Sequence, residues 1–154
     1  MKPIRSFFLV LTCSLVWTTL TAPTALGQPD PGDRRSRSRK VFDNWNTSAC
    51  EMTGAAQFTL DRPVRADRIE VWYRWRAREG SVAYTLSQNG QTLRSGVLTR
   101  GGCDPNQENW CIAAEQLDLR LQPDTYLIQT ERPRVCQNPG SDGNGFVKVY
   151  GSPR

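Results

Sequence analysis

From Val41 onward, apolar residues recur at every second position in short runs. Ala56, Phe58 and Leu60 share one face of a run that stops at Asp61-Arg62-Pro63. Ile69, Val71, Tyr73 and Trp75 share a face of the next, with Arg68, Glu70, Trp72, Arg74 and Arg76 opposite. Val82, Tyr84 and Leu86 make a third run. Gln88-Asn89-Gly90 then reads as a tight hairpin, and Leu93 to Leu98 continues beyond it. Leu117, Leu119 and Leu121 alternate up to the turn Gln122-Pro123-Asp124, Tyr126, Ile128 and Thr130 follow, and Val147 and Val149 close the series. A period of two belongs to a strand with one buried face, and Gly, Pro, Asn and Asp punctuate strands. The runs predict an all-β fold, an antiparallel β-sandwich of jelly-roll type.

One stretch is ambiguous. Asp104-Pro105-Asn106-Gln107 has the cap, the Pro and the third-position Gln of a helix start, and Trp110, Ala114 and Leu117 would share a helical face. We expect instead a short strand near Trp110 to Ala113, held by a neighbouring cysteine pair.

The first 27 residues have a different pattern and read as a secretory signal. Lys2 and Arg5 give a positive start, Phe7 to Leu20 is apolar, and Ala25 and Gly27 place small residues before a cleavage point. The apolar run is shorter than the roughly 20 residues of a membrane-spanning helix. The expected organisation is a signal over 1–27, a linker over 28–40 and a β-sandwich domain over 41–154. No transmembrane segment is expected after signal cleavage, and the expected location is secreted or extracytoplasmic.

Secretion changes the meaning of the five cysteines. Cys13 leaves with the signal, and four remain in an oxidising compartment, where two disulfides are the default. Three pairings are possible. We expect Cys103–Cys111, closing a short polar loop, and Cys50–Cys136, tying an early segment to a late one. In the chain-entropy model the short loop is worth about 2.6 kcal/mol and the long one about 4.6. A four-cysteine zinc site would need closely spaced pairs, which are absent. No metal and no cofactor are expected.

The net charge of +5 invites a nucleic-acid reading, but its distribution opposes one. Arg34, Arg35, Arg37, Arg39 and Lys40 sit in QPDPGDRRSRSRK, without apolar residues, and residues 41–154 carry thirteen basic and thirteen acidic side chains. A segment with nothing to bury is expected to be a disordered, solvated spacer. A dedicated nucleic-acid module would carry its charge on the folded face. The absence of His excludes Ser-His-Asp and Cys-His catalysis and His-ligated zinc.

Phe58-Thr59-Leu60, Ile69-Glu70-Val71, Tyr84-Thr85-Leu86 with Asn89-Gly90, and Leu119-Arg120-Leu121-Gln122-Pro123-Asp124-Thr125-Tyr126 resemble secreted bacterial jelly-roll accessory domains. The pattern, over about residues 56–131, is similar to the bacterial pre-peptidase C-terminal domain, whose late strands carry an L-x-P-G-T-Y-like turn. Asp124 stands where that turn has Gly. The resemblance implies a sandwich with an accessory or binding role, and carries over no binding residue.

Candidate chemistry centres on Trp72, expected on the solvent face between Glu70 and Arg74. An aromatic face flanked by directional donors suits a sugar ring. Arg74 and Arg76 are the expected polar partners, and Trp45, within Asp43-Asn44-Trp45-Asn46, a second aromatic. The competing structural role for Trp72 is a loop cover or a cation–π pair with Arg74 or Arg76. Asn46-Thr47-Ser48 is an N-glycosylation sequon. Asp142 and Asn144 lie in a Gly-rich loop that lacks the carboxylates and distal Glu of a calcium site. Arg100-Gly101-Gly102 lacks a phosphate-loop ending. Glu51, Asp67, Glu70, Glu79, Asp104, Glu108 and Glu115 supply carboxylates, but in no recognisable glycosidase pair. The expected function is therefore non-catalytic binding, with a glycan as the first ligand. The alternatives are a structural or protein-interaction domain with an envelope protein as partner, and a small secreted hydrolase using paired carboxylates.

Overall fold

In the computed structural model, residues 38–107 and 109–153 are described. The expected signal, 1–27, and spacer residues 28–37 lie outside them, as does Glu108. Ten strands run in chain order: β1 (Arg39–Asp43), β2 (Glu51–Thr53), β3 (Ala55–Leu60), β4 (Val64–Arg74) and β5 (Ser81–Gln88). They continue as β6 (Gln91–Cys103), β7 (Trp110–Leu121), β8 (Asp124–Thr130), β9 (Val135–Gln137) and β10 (Val147–Pro153). A 3-10 turn spans Pro139–Ser141.

All strand pairings are antiparallel, in the order β1-β10-β4-β7-β6-β5-β8-β3, with β9 paired to β4 and β2 added beyond it. The two ends of this order approach each other, with Phe42 and Phe58 5.9 Å apart at their ring centroids. The sheet is therefore nearly closed, and the inward faces of all its parts meet in one apolar cluster. Phe58 stacks on Tyr126 at 5.1 Å, and Ile69, Leu86, Leu98 and Ile128 are fully enclosed. Each such side chain contributes about 1.5–3 kcal/mol by leaving water. This burial is why the alternating positions became strands.

The expected all-β antiparallel fold with two disulfides is present. Cys50 bonds to Cys136 and Cys103 to Cys111. The Asn89-Gly90 hairpin is also present, with φ of 50° and 78° at the two residues, the positive pair that a twisted two-residue connection demands.

The linker bound and two strand extents differ from expectation. β1 begins at Arg39, so Arg39 and Lys40 belong to the folded sheet and not to a linker. Both pair with β10, and the Lys40 ammonium sits 2.5 Å from Asp43 Oδ2. The short strand expected at Trp110–Ala113 is the start of the twelve-residue β7, continuous to Leu121. The helix signal at Asp104 yields only a closed turn. The Gln107 N–H donates to Asp104 O, and the Asp104 N–H donates to Trp110 O across the loop mouth. The ladder with β4 and the disulfide leave no room for helix propagation. Lastly, the run expected to end at Leu98 continues in β6 to Cys103, and its paired contact with β7 is confined to Thr99–Cys103.

The departure of β6 from β7 before Thr99 opens one side of the fold. Glu115 faces inward there. Its carboxylate accepts from the Tyr84 hydroxyl and pairs with the Arg94 guanidinium. Burial and then the Glu115 hydrogen bond hold the Tyr84 phenol well above its ordinary pKa. Gly96 makes this cluster possible, because a Cβ there would lie 2.5 Å from Glu115 Oε2.

Candidate functional site

Alternation along β4 turns Ile69, Val71 and Tyr73 into the core and Trp72 to the outer face. Tyr73 is fully buried and Trp75, one residue beyond the strand, is 2% exposed, as expected of core aromatics. Trp72 is partly buried. Its neighbour is Trp45, 5.3 Å away between ring centroids at an interplanar angle of 55°.

Trp45 reaches this position through polar anchoring of the chain after β1. Asn44 Nδ2 donates to Gly145 O at 3.1 Å, and the Val147 N–H donates to Asn44 Oδ1 at 2.8 Å. The Trp45 N–H donates to Asp43 Oδ1 at 3.0 Å. The Lys148 ammonium sits 3.8 Å from the Trp45 ring centroid, a cation–π contact. The cation–π pair considered for Trp72 with Arg74 or Arg76 is a different contact: the one present joins Trp45 to a lysine of β10. The Trp45 indole Nε1–H is buried and has no acceptor among the described residues.

The two tryptophans line a recess of about 260 Å³ with Asn46, Ser48, Asp104, Gln107 and Phe146. Both disulfides serve its walls. Cys50 lines it directly, and Cys103–Cys111 closes the hairpin whose turn supplies Asp104 and Gln107. Asn46 is held by reciprocal amide bonds with buried Asn138, donating at 3.0 Å and accepting at 2.7 Å. The sequon nitrogen is therefore already a structural donor. Glycosylating Asn46 would remove a hydrogen from that nitrogen in a pair that ties the recess wall to the 3-10 turn.

Of the expected site residues, Trp72 and Trp45 come together. Arg74 and Arg76 do not join them. They line a separate recess with Met52, Trp75, Asn109 and Arg134. The two recesses share no lining residue. The polar groups beside the tryptophans are instead Asp104 and Gln107, which spacing along β4 had no means of revealing. The aromatic spacing in Asp43-Asn44-Trp45-Asn46 was the one available signal for this wall.

The carboxylates considered for hydrolysis are dispersed. Glu70, 6% exposed, pairs with Arg68 at 2.6 Å and accepts from Tyr150 Oη at 3.3 Å. Glu115 is in the β6–β7 opening. Glu79 binds Arg132 at 2.5 Å and Arg134 at 3.3 Å. Burial opposes ionisation of Glu79, but the Arg76 backbone N–H and the Arg134 and Arg132 guanidiniums outweigh it and hold its pKa below the ordinary value. Asp142 caps the 3-10 turn in a left-handed conformation, and no cluster of potential metal ligands occurs among the described residues.

No family model matches the chain, and no curated protein matches it either.

Proposed function

We propose that this chain is a secreted, non-catalytic binding domain whose ligand is a carbohydrate, taken up at the Trp45–Trp72 recess. The observation that carries this reading is the meeting of two partly exposed indoles at 5.3 Å beside Asn46, Asp104 and Gln107. Ring faces give a sugar an apolar platform, and side-chain amides and a carboxylate supply directional partners for its hydroxyls. The recess is open and small, in keeping with a single ring held at the surface.

Secretion is supported by the two disulfides, which persist in oxidising compartments. A jelly-roll reading is supported by the strand order, which divides into β1-β10-β4-β7 and β6-β5-β8-β3.

The test is calorimetric titration of the purified chain with a panel of neutral glycans. We expect one member to bind, and Trp72→Ala to weaken it by about tenfold or more. Unchanged affinity in Trp72→Ala would remove the recess from the reading. Failure of every glycan would favour the alternative, an interaction domain with an envelope protein, to be sought by crosslinking.

A further inference from the structure

We propose a second, separate binding site beside the first, formed by Arg74, Arg76 and Arg134, which takes the carboxylate of an acidic sugar residue. The recess they line has a volume of about 340 Å³ and no carboxylate among its lining residues. Arg74 and Arg76 are exposed, and neither is ion-paired to a carboxylate among the described residues. Arg134 is held in place by Glu79 and is only 14% exposed at its side chain.

The backbone carrying these guanidiniums is pinned at three consecutive residues. The Arg74 N–H donates to Arg134 O at 2.9 Å, the Trp75 N–H to Asn109 O at 2.8 Å, and the Arg76 N–H to Glu79 Oε2 at 2.8 Å. Such anchoring lowers the ordering cost of binding. Trp75, 2% exposed and packed on Tyr73, lines the same recess as a fixed wall. The recess thus presents two guanidiniums with no carboxylate partner among the described residues, and their missing complement is an acceptor. An ionised carboxylate is acceptor-only and matches the planar guanidinium fork.

The sugar part of this assignment rests on the glycan reading above. Arg74 follows Trp72 by two residues on the same face of β4, roughly 6.6 Å along the strand. A glycan stacked on Trp72 would bring its next ring toward the arginines.

The experiment compares the full chain's affinity for polygalacturonate with that for its fully methyl-esterified, neutral form at low salt. We expect the acid to bind about tenfold tighter or more, Arg74→Ala/Arg76→Ala to abolish that preference, and Trp72→Ala to weaken both forms. Near-UV circular dichroism checks that the variants fold. Arg74→Lys/Arg76→Lys keeps the charge without the fork and should lose part of the preference. Equal affinity for acid and ester, with Trp72 still required, would overturn this inference and leave the aromatic recess standing. Arginine-dependent binding of the acid with Trp72→Ala silent would support the arginine site and overturn the aromatic one. The inference also fails if the preference survives in Arg74→Ala/Arg76→Ala, which would move it to the basic segment around Arg34–Arg37. It fails equally if poly-glutamate or a single-stranded oligonucleotide binds as tightly as polygalacturonate.

Discussion

Trp72 sits on a strand whose other face is wholly apolar, so its outward direction follows from alternation alone. Its partner does not. Trp45 is 27 positions earlier, and only the Asn44 bridge to Gly145 and Val147 brings it alongside. Gly96 shows the same dependence on distant residues. A methyl group there would collide with the Glu115 carboxylate and with Tyr84 Cε1, 2.9 Å away. Gly96→Ala is expected to destabilise the fold by about 1–3 kcal/mol, measurable as a lower urea midpoint. Glu79 carries a pH signature. Its pKa is depressed on folding, so its contribution is complete above the ordinary Glu value of about 4.3 and fades as pH falls toward the folded value. The stability gap between the native chain and Glu79→Gln should therefore be largest near neutral pH and narrow below about pH 4. A gap that stays constant across that range would contradict the assignment.

At the scale of elements, the β6–β7 hairpin decides the recess wall. Its strands are paired only near the tip, where Cys103 and Cys111 face each other across the ladder. The turn between them carries Asp104 and Gln107. Cys103→Ser/Cys111→Ser is expected to cost at most about 2.6 kcal/mol of global stability, since the closed loop is short. The effect on ligand affinity should exceed the effect on stability, because the freed turn must be ordered again on binding. Parallel denaturation and titration of the double variant would check this. The β7–β8 turn is another determined junction. Asp124 Oδ2 accepts from Gln88 Nε2 at 2.5 Å and Asn89 Nδ2 at 3.2 Å, so this carboxylate ties that turn to the β5–β6 hairpin. The Gln88 bond, then the Thr125 backbone N–H and Asn89, depress the Asp124 pKa against the opposing effect of burial.

For the molecule as a whole, the long disulfide and the distribution of charge matter most. Cys50–Cys136 spans 86 residues of sequence and joins the segment before β2 to β9. Its removal should cost more than removal of the short bridge, up to about 4.6 kcal/mol, which differential scanning calorimetry of the two double-serine variants would rank. Residues 41–154 are electrically balanced, so neutral-glycan affinity should change little between about 0.05 and 0.5 M salt, whereas any affinity for an acidic glycan should fall. A steep salt dependence for the neutral ligand would contradict the aromatic platform.

The all-β class, most of the long strands and the Asn89-Gly90 hairpin were legible without coordinates, and the disulfide pairing favoured among three possibilities is the one present. The strands and the hairpin depend on local rules: the two-residue period of a pleated strand and positive φ in a tight turn. Tyr73 and Trp75 were legible as core for the same reason. A local rule also misread the linker boundary. Arg39 and Lys40 looked like spacer because charge and lack of apolar neighbours describe composition, whereas their strand exists through pairing with β10. At Asp104-Pro105 the local capping chemistry of a helix start competed with the strand expected near Trp110, and that strand forms through its ladder with β4. The recesses belonged to tertiary structure entirely. Trp72 and Arg74 are neighbours on one strand, yet they face different loops: one meets Trp45, Asp104 and Gln107, and the other meets Asn109 and Arg134. Alternation assigns each side chain a face. Which residues share that face across the chain is decided by strand order, by the anchoring of loops and by the burial that holds the sheet closed.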